Sequence, residues 1–126
     1  MSSSAAVLVF DPDPTSRILV TAVVQRSGLR PVACDSEEEA ARRCVQSEPY
    51  AAVILSADLP HCDVLLRRLR MAPRSRSPRV ILTTTDALAT PDALQVDAVL
   101  RKPLEVAGLE EAIAACCAAA GAELLA

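Results

Sequence analysis

A chain of 126 residues, 52% hydrophobic and 23% charged, has the length for one domain with a full core and too much apolar content for intrinsic disorder. Thirteen basic residues against sixteen acidic ones leave a formal net charge of −3, and Phe10 and Tyr50 are its only aromatics. Neither a field that tracks phosphates nor a surface that stacks bases is expected, which argues against direct nucleic-acid binding.

Ala6-Val7-Leu8-Val9-Phe10 is a continuous apolar run, the pattern of a strand buried on both faces. Asp11-Pro12-Asp13-Pro14 follows; proline suits the first position of a helix, with Asp13 as N-cap. Ile18, Leu19, Ala22 and Val23 are expected to share that helix's buried face, with Gly28 closing it. A short strand is expected near Pro31 to Ala33. Ser36 and Glu39 then form a capping box for a helix through about Gln46. Ala52 to Leu55 reads as a third strand, Val64 to Met71 as a helix, and 74–78 as a loop. Val80 to Leu82 is a fourth strand, Pro91 to Gln95 a short helix, and Ala98 to Leu100 a fifth strand. A last helix, anchored by Leu109 and Ile113, runs to about Ala120.

Five strands alternating with helices imply an α/β fold: a flavodoxin-like doubly wound (βα)5 domain with a five-stranded parallel sheet in the order 2-1-3-4-5. One domain is expected over 1–126, with its core over about 5–120. The five cysteines (Cys34, Cys44, Cys62, Cys116, Cys117) form no CxxC pair, and His61 is the sole histidine. Ala5 to Phe10 is too short for a signal-peptide core, and the longest uncharged segment, Ala112 to Ala122, is about half a membrane span. A cytoplasmic protein with reduced thiols, no membrane contact and no metal site is the expectation.

In such a fold the carboxyl ends of the strands gather Asp11, Ser56, Asp58, Thr83 and Lys102 in one crevice, where α/β folds place ligands. A carboxylate, a hydroxyl and an ammonium there could serve phosphate or magnesium chemistry; strand ends are equally ordinary places for polar residues.

Val-Phe-Asp-Pro-Asp-Pro-Thr-Ser-Arg (9–17), Ala-Val-Ile-Leu-Ser-Ala-Asp-Leu-Pro (52–60), Val-Ile-Leu-Thr (80–83) and Leu-Arg-Lys-Pro-Leu (100–104) together resemble the receiver domain of two-component response regulators, from Val7 to about Ala119. The resemblance implies a cis bond before Pro103, a phosphoacceptor position at Ser56, and an acidic pocket at Asp11 and Pro12. Asp13 lies next along, better explained as a helix cap. It also implies phosphate-contact and switch positions at Lys102, Thr83 and Val99. The family's acceptor is an aspartate and its magnesium is held by two adjacent acidic residues. Here Ser56 and Pro12 stand in those places, so the resemblance implies a degenerate receiver. A serine needs a base that an ionised aspartate does not, and magnesium demands hard oxygen ligands.

The expectation is that Lys102 pairs with Asp11 in place of a metal; at 4 Å and an effective dielectric near 20 the gross attraction is about 4 kcal/mol before desolvation. Magnesium binding is expected to be weak or absent, and no catalytic residue or other cofactor is expected. Val99 has no ring to rotate and is expected to pack. The segment between Thr83 and Lys102 is shorter than the family's, so its helix is expected to be short or partly unwound. The uncharged last helix suggests a docking surface for a protein partner, including a homodimer; an ordinary exposed alanine face remains the alternative. The arginines at 67, 68, 70, 74, 76 and 79 read as a solvated face, with an acidic partner or nucleic acid as the alternative, and Cys62 as a plain thiol with redox sensing as the alternative. The reading is a phosphorylation-independent protein-interaction module. The rivals are a phosphoacceptor using Asp58 or a remodelled acidic site, and a flavodoxin-like cofactor binder.

Overall fold

A computed structural model of the chain describes residues 5–34, 36–45, 50–71, 78–91 and 96–125. Five parallel strands, β1 (Ala6–Phe10), β2 (Arg30–Ala33), β3 (Tyr50–Ser56), β4 (Arg79–Thr84) and β5 (Ala98–Arg101), lie in the order β2-β1-β3-β4-β5. Four described helices connect or follow them: α1 (Pro14–Arg26), α2 (Glu37–Val45), α3 (Cys62–Met71) and α4 (Val106–Leu125). The short helix expected over 91–95 lies, after Pro91, outside the described residues, as do Arg74 and Arg76.

The sheet separates two packed layers because successive side chains of a strand point to opposite faces. Ala6, Leu8 and Phe10 of β1 join Val53, Leu55 and Leu82 against Leu65, Leu66 and Leu69 of α3. Val7 and Val9 join Ile54 and Ile81 against Val20, Val23 and Val24 of α1 and Leu109 and Ile113 of α4. The three central strands are thus covered on both sides, which is why apolar residues run consecutively through their middles, with polar ones at the ends of β3 and β4. The edge strands β2 and β5 are only half-buried.

The helix ends follow local chemistry. Asp13 caps α1 with Pro14 in the first turn, and its carboxylate accepts bonds from the Ser16 N–H (3.2 Å) and Oγ (2.8 Å). Gly28, at φ +80°, turns the chain into β2 in a conformation that L side chains rarely adopt. Ser36 Oγ accepts the Glu39 N–H at 3.1 Å, the first arm of the expected capping box.

The buried face of α1 is the expected one only in part, through Leu19 and Val23. Ser16, Val20, Val23 and Val24 are buried with Leu19 partly covered, while Ile18 is 69% exposed and Ala22 faces water. Apolar residues surround this helix on most sides, so periodicity alone cannot choose the inward stripe; the sheet beneath it chooses. Other boundaries move as well: β3 begins at Tyr50, α3 at Cys62, β4 runs to Thr84 and α4 to Leu125.

Truncation at the two kinds of position separates them. Leu109→Ala, at a fully buried site, is expected to cost about 2–5 kcal/mol in urea denaturation, and Ile18→Ala less than about 0.5 kcal/mol.

Candidate functional site

Strand register builds the site. Phe10 lies opposite Leu55, Ser56 opposite Thr83, and Thr84 opposite Arg101, so Asp11, Ser56, Thr83 and Lys102 end on one rim of the sheet. Lys102 is held there by its own N–H, which donates to the Thr84 carbonyl at 2.8 Å. The Lys102–Pro103 peptide bond is cis, as the resemblance implies.

The Lys102 ammonium has three hydrogens and finds three oxygens. It donates to Asp11 Oδ1 at 3.3 Å, Ser56 Oγ at 3.2 Å and Asp58 Oδ2 at 3.2 Å. Its side chain is 12% exposed, against 4% for Asp11 and 44% for Asp58. The enclosed Lys102–Asp11 pair therefore carries most of the electrostatic weight, and water screens the Asp58 contact. Asp11 Oδ1 also accepts the Asp13 N–H at 2.9 Å. Asp11 Oδ2 lies 3.2 Å from the same ammonium but has no well-directed hydrogen bond among the described residues, so its attraction to Lys102 is purely that of charges in contact.

Ser56 is 1% exposed. Its Oγ accepts the Asp58 N–H at 3.2 Å as well as the Lys102 proton, which engages both of its lone pairs. Thr83, equally buried, donates its hydroxyl to the Leu55 carbonyl at a long 3.5 Å, within the sheet rather than across the crevice. Val99 is half-buried and packs against the α3-side layer. Pro12 and Pro103 are exposed.

Asp13 stands outside this cluster. Bonds from the Ser16 hydroxyl and amide hold its carboxyl below the usual range, with smaller help from the Thr15 amide and the Lys102 charge against a small desolvation effect. Cys62, next to the site and buried, is pushed up to about 11 by desolvation, with Asp63 and Asp58 adding to the shift. A thiol so placed is almost wholly protonated at neutral pH and unsuited to redox sensing. His61 is exposed on the turn before α3.

The structure thus brings together Asp11, Ser56, Asp58 and Lys102, seats Thr83 beside them, and leaves Pro12, the Asp13 carboxylate and Val99 outside the hydrogen-bonded cluster. Sequence reasoning paired Lys102 with Asp11 and did not foresee the bonds to Ser56 and Asp58. One signal was present: Lys102 is the chain's only lysine, every other basic side chain being an arginine.

No family model and no curated protein matches the chain. Its fold is that of solved receiver domains. The CheY-like response regulator receiver domain protein from Methanospirillum hungatei is 18% identical, with a TM-score of 0.80 over 96% of this chain and 99% of that one. A sensor protein from Polaromonas is 22% identical, with a TM-score of 0.77 over 92% and 98%. The receiver domain of a sensor histidine kinase from Pseudomonas aeruginosa, solved with a magnesium ion coordinated in its active-site cleft, is 20% identical, with a TM-score of 0.77 over 92% and 99%. The architecture is therefore the CheY-like, flavodoxin-like fold.

Two outcomes follow from this geometry. Lys102→Ala strands the buried Asp11 carboxylate and is expected to cost about 3 kcal/mol in chemical denaturation, whereas the uncharged pair Asp11→Asn with Lys102→Met loses markedly less. The Asp13 cap, whose carboxyl is lowered on folding, stabilises α1 above the ordinary carboxylate range and loses that contribution as pH falls through the lowered value. The stability gap between the wild type and Asp13→Ala, followed by thermal melts, is expected to close toward acid pH.

Proposed function

We propose that this chain is a receiver-type module of two-component signalling that acts by binding protein partners and does not take up a phosphoryl group. The observation carrying this reading is the Lys102 ammonium bonded at once to Asp11, Ser56 and Asp58. Where the resembled family places an ionised nucleophile, the chain has an enclosed alcohol whose lone pairs are already engaged. A serine oxygen in that condition has no electron pair free to attack phosphorus.

The residues present also do not fit magnesium. The ion needs about six oxygen ligands near 2.1 Å. Both oxygens of Asp11 face an ammonium, Asp58 shares that ammonium, and the Asp13 carboxylate is turned to Ser16. Pro12 supplies no side-chain oxygen at all. Among the described residues no group of three or more metal-ligating side chains converges. With two carboxylates against one ammonium, the cluster keeps a single formal negative charge, half of what a divalent ion would neutralise.

The switch positions support the same reading. The Thr83 hydroxyl points to the Leu55 carbonyl within the sheet, and Val99 has no ring or polar group to reorient. A binding module without turnover or cofactor, working in the cytoplasm, is the function this arrangement favours. Among the described residues no helix is long and apolar enough to cross a membrane. The exposed outer side of α4, with Ala114 and Ala115 on it, is the proposed docking surface, including toward a second copy.

One observation favours the rival phosphoacceptor: Asp58 is the accessible carboxylate of the cluster. Incubation with a small-molecule phosphodonor and millimolar magnesium, followed by mass spectrometry, separates the readings. The expected result is an unmodified chain whose melting temperature magnesium does not move. A phosphoryl adduct on Asp58 would establish the rival instead, and a visible absorption band in the purified protein would point to a bound flavin.

A further inference from the structure

Two exposed helix faces of this molecule match in spacing and oppose in charge. On α3 the outward stripe is Val64, Arg67, Arg68 and Met71, at positions i, i+3, i+4 and i+7. Val64 is 37% and Met71 79% exposed, far more than apolar side chains of a fully covered helix. On α4 the residues Ala107, Glu110, Glu111 and Ala114 repeat the same intervals, all exposed. Among the described residues, no hydrogen bond or ion pair is formed by the side chains of Arg67, Arg68, Glu110 or Glu111.

The two stripes cannot meet within one chain. Helix α3 packs through Leu65, Leu66 and Leu69 on one side of the sheet, and α4 through Leu109 and Ile113 on the other. Each stripe therefore faces outward on an opposite side of the molecule.

We propose that α3 of one copy docks on α4 of the next, so that the chain associates with itself head to tail. Arg67 and Arg68 then face Glu110 and Glu111 of the neighbouring copy, while Val64 and Met71 cover Ala107 and Ala114. The alanines let the helix backbones approach closely, and the arginines meet opposite charge on the neighbouring helix. The two patches differ, so the contact is heterologous. It generates a ring or a filament and not a two-fold dimer. One pair of helix stripes is small beside standard interfaces, so the association is weak and rises with concentration. The proposal deepens the interaction-module reading by naming one partner, but is measured independently of it: a phosphoryl adduct would defeat that reading without bearing on self-association, and a lasting monomer would leave it standing.

Sedimentation across a wide concentration range tests the contact. At low salt the mass is expected to climb from 13.3 kDa past that of two copies. Raising ionic strength from about 0.01 M to about 1 M shortens the screening length from about 30 Å to about 3 Å and is expected to weaken association about tenfold or more. The charge-reversed variants R67E/R68E and E110R/E111R, checked for folding by circular dichroism, are each expected to stay monomeric alone. Their equimolar mixture is expected to associate, because each supplies the face that the other now matches. A wild type that remains at 13.3 kDa at every concentration would overturn the proposal. So would association that survives in either variant alone, or a mixture that fails to recover it.

Discussion

The site is organised by a single ammonium group. Lys102 Nζ spends its three hydrogens on oxygens from the end of β1, the end of β3 and the loop just beyond β3. Enclosing an ammonium to this degree costs desolvation energy that only a nearby opposite charge offsets. Asp11 supplies that compensation, and Lys102 in turn makes the burial of Asp11 tolerable. The two residues depend on each other, and the neutral Ser56 depends on both: its hydroxyl oxygen is enclosed because two donors satisfy it.

That arrangement is possible only on a stiff frame. The central strands bury nearly every side chain, and helices cover both faces, so the strand ends are fixed relative to one another to within the tolerance of a hydrogen bond. Backbone bonds complete the frame at the rim. The Ala57 N–H donates to the Thr83 carbonyl at 2.8 Å and the Lys102 N–H to the Thr84 carbonyl at 2.8 Å, tying the loop after β3 and the segment after β5 to the same strand. The crevice at the strand ends is bridged by side chains of the chain itself.

Local rules made much of the molecule legible in advance. Apolar runs marked the middles of β1, β3 and β4 because strands covered on both faces favour apolar residues on both; polar residues enter only at the ends of β3 and β4. Asp13-Pro14 and Gly28 marked the ends of α1 because each acts through its own backbone or its nearest neighbours. The inward face of α1 was misread in part for a physical reason: Ile18 and Val20 are equally apolar, and only contact with the sheet distinguishes them. Asp58 was placed correctly beside the site, but its bond to Lys102 depends on the path of a loop, which no periodicity encodes.

The amino-acid order alone therefore settled the succession of strands and helices and the caps of α1 and α2. These are properties of residue type and of neighbours a few positions away. The folded chain decided which stripe of each helix is covered and which oxygens share one ammonium. Asp11 and Lys102 are 91 residues apart, and only the register of four parallel strands brings them within 3.3 Å. Contacts of that separation leave no trace in local patterning, because the pairing of strands is fixed by the packing of the whole core.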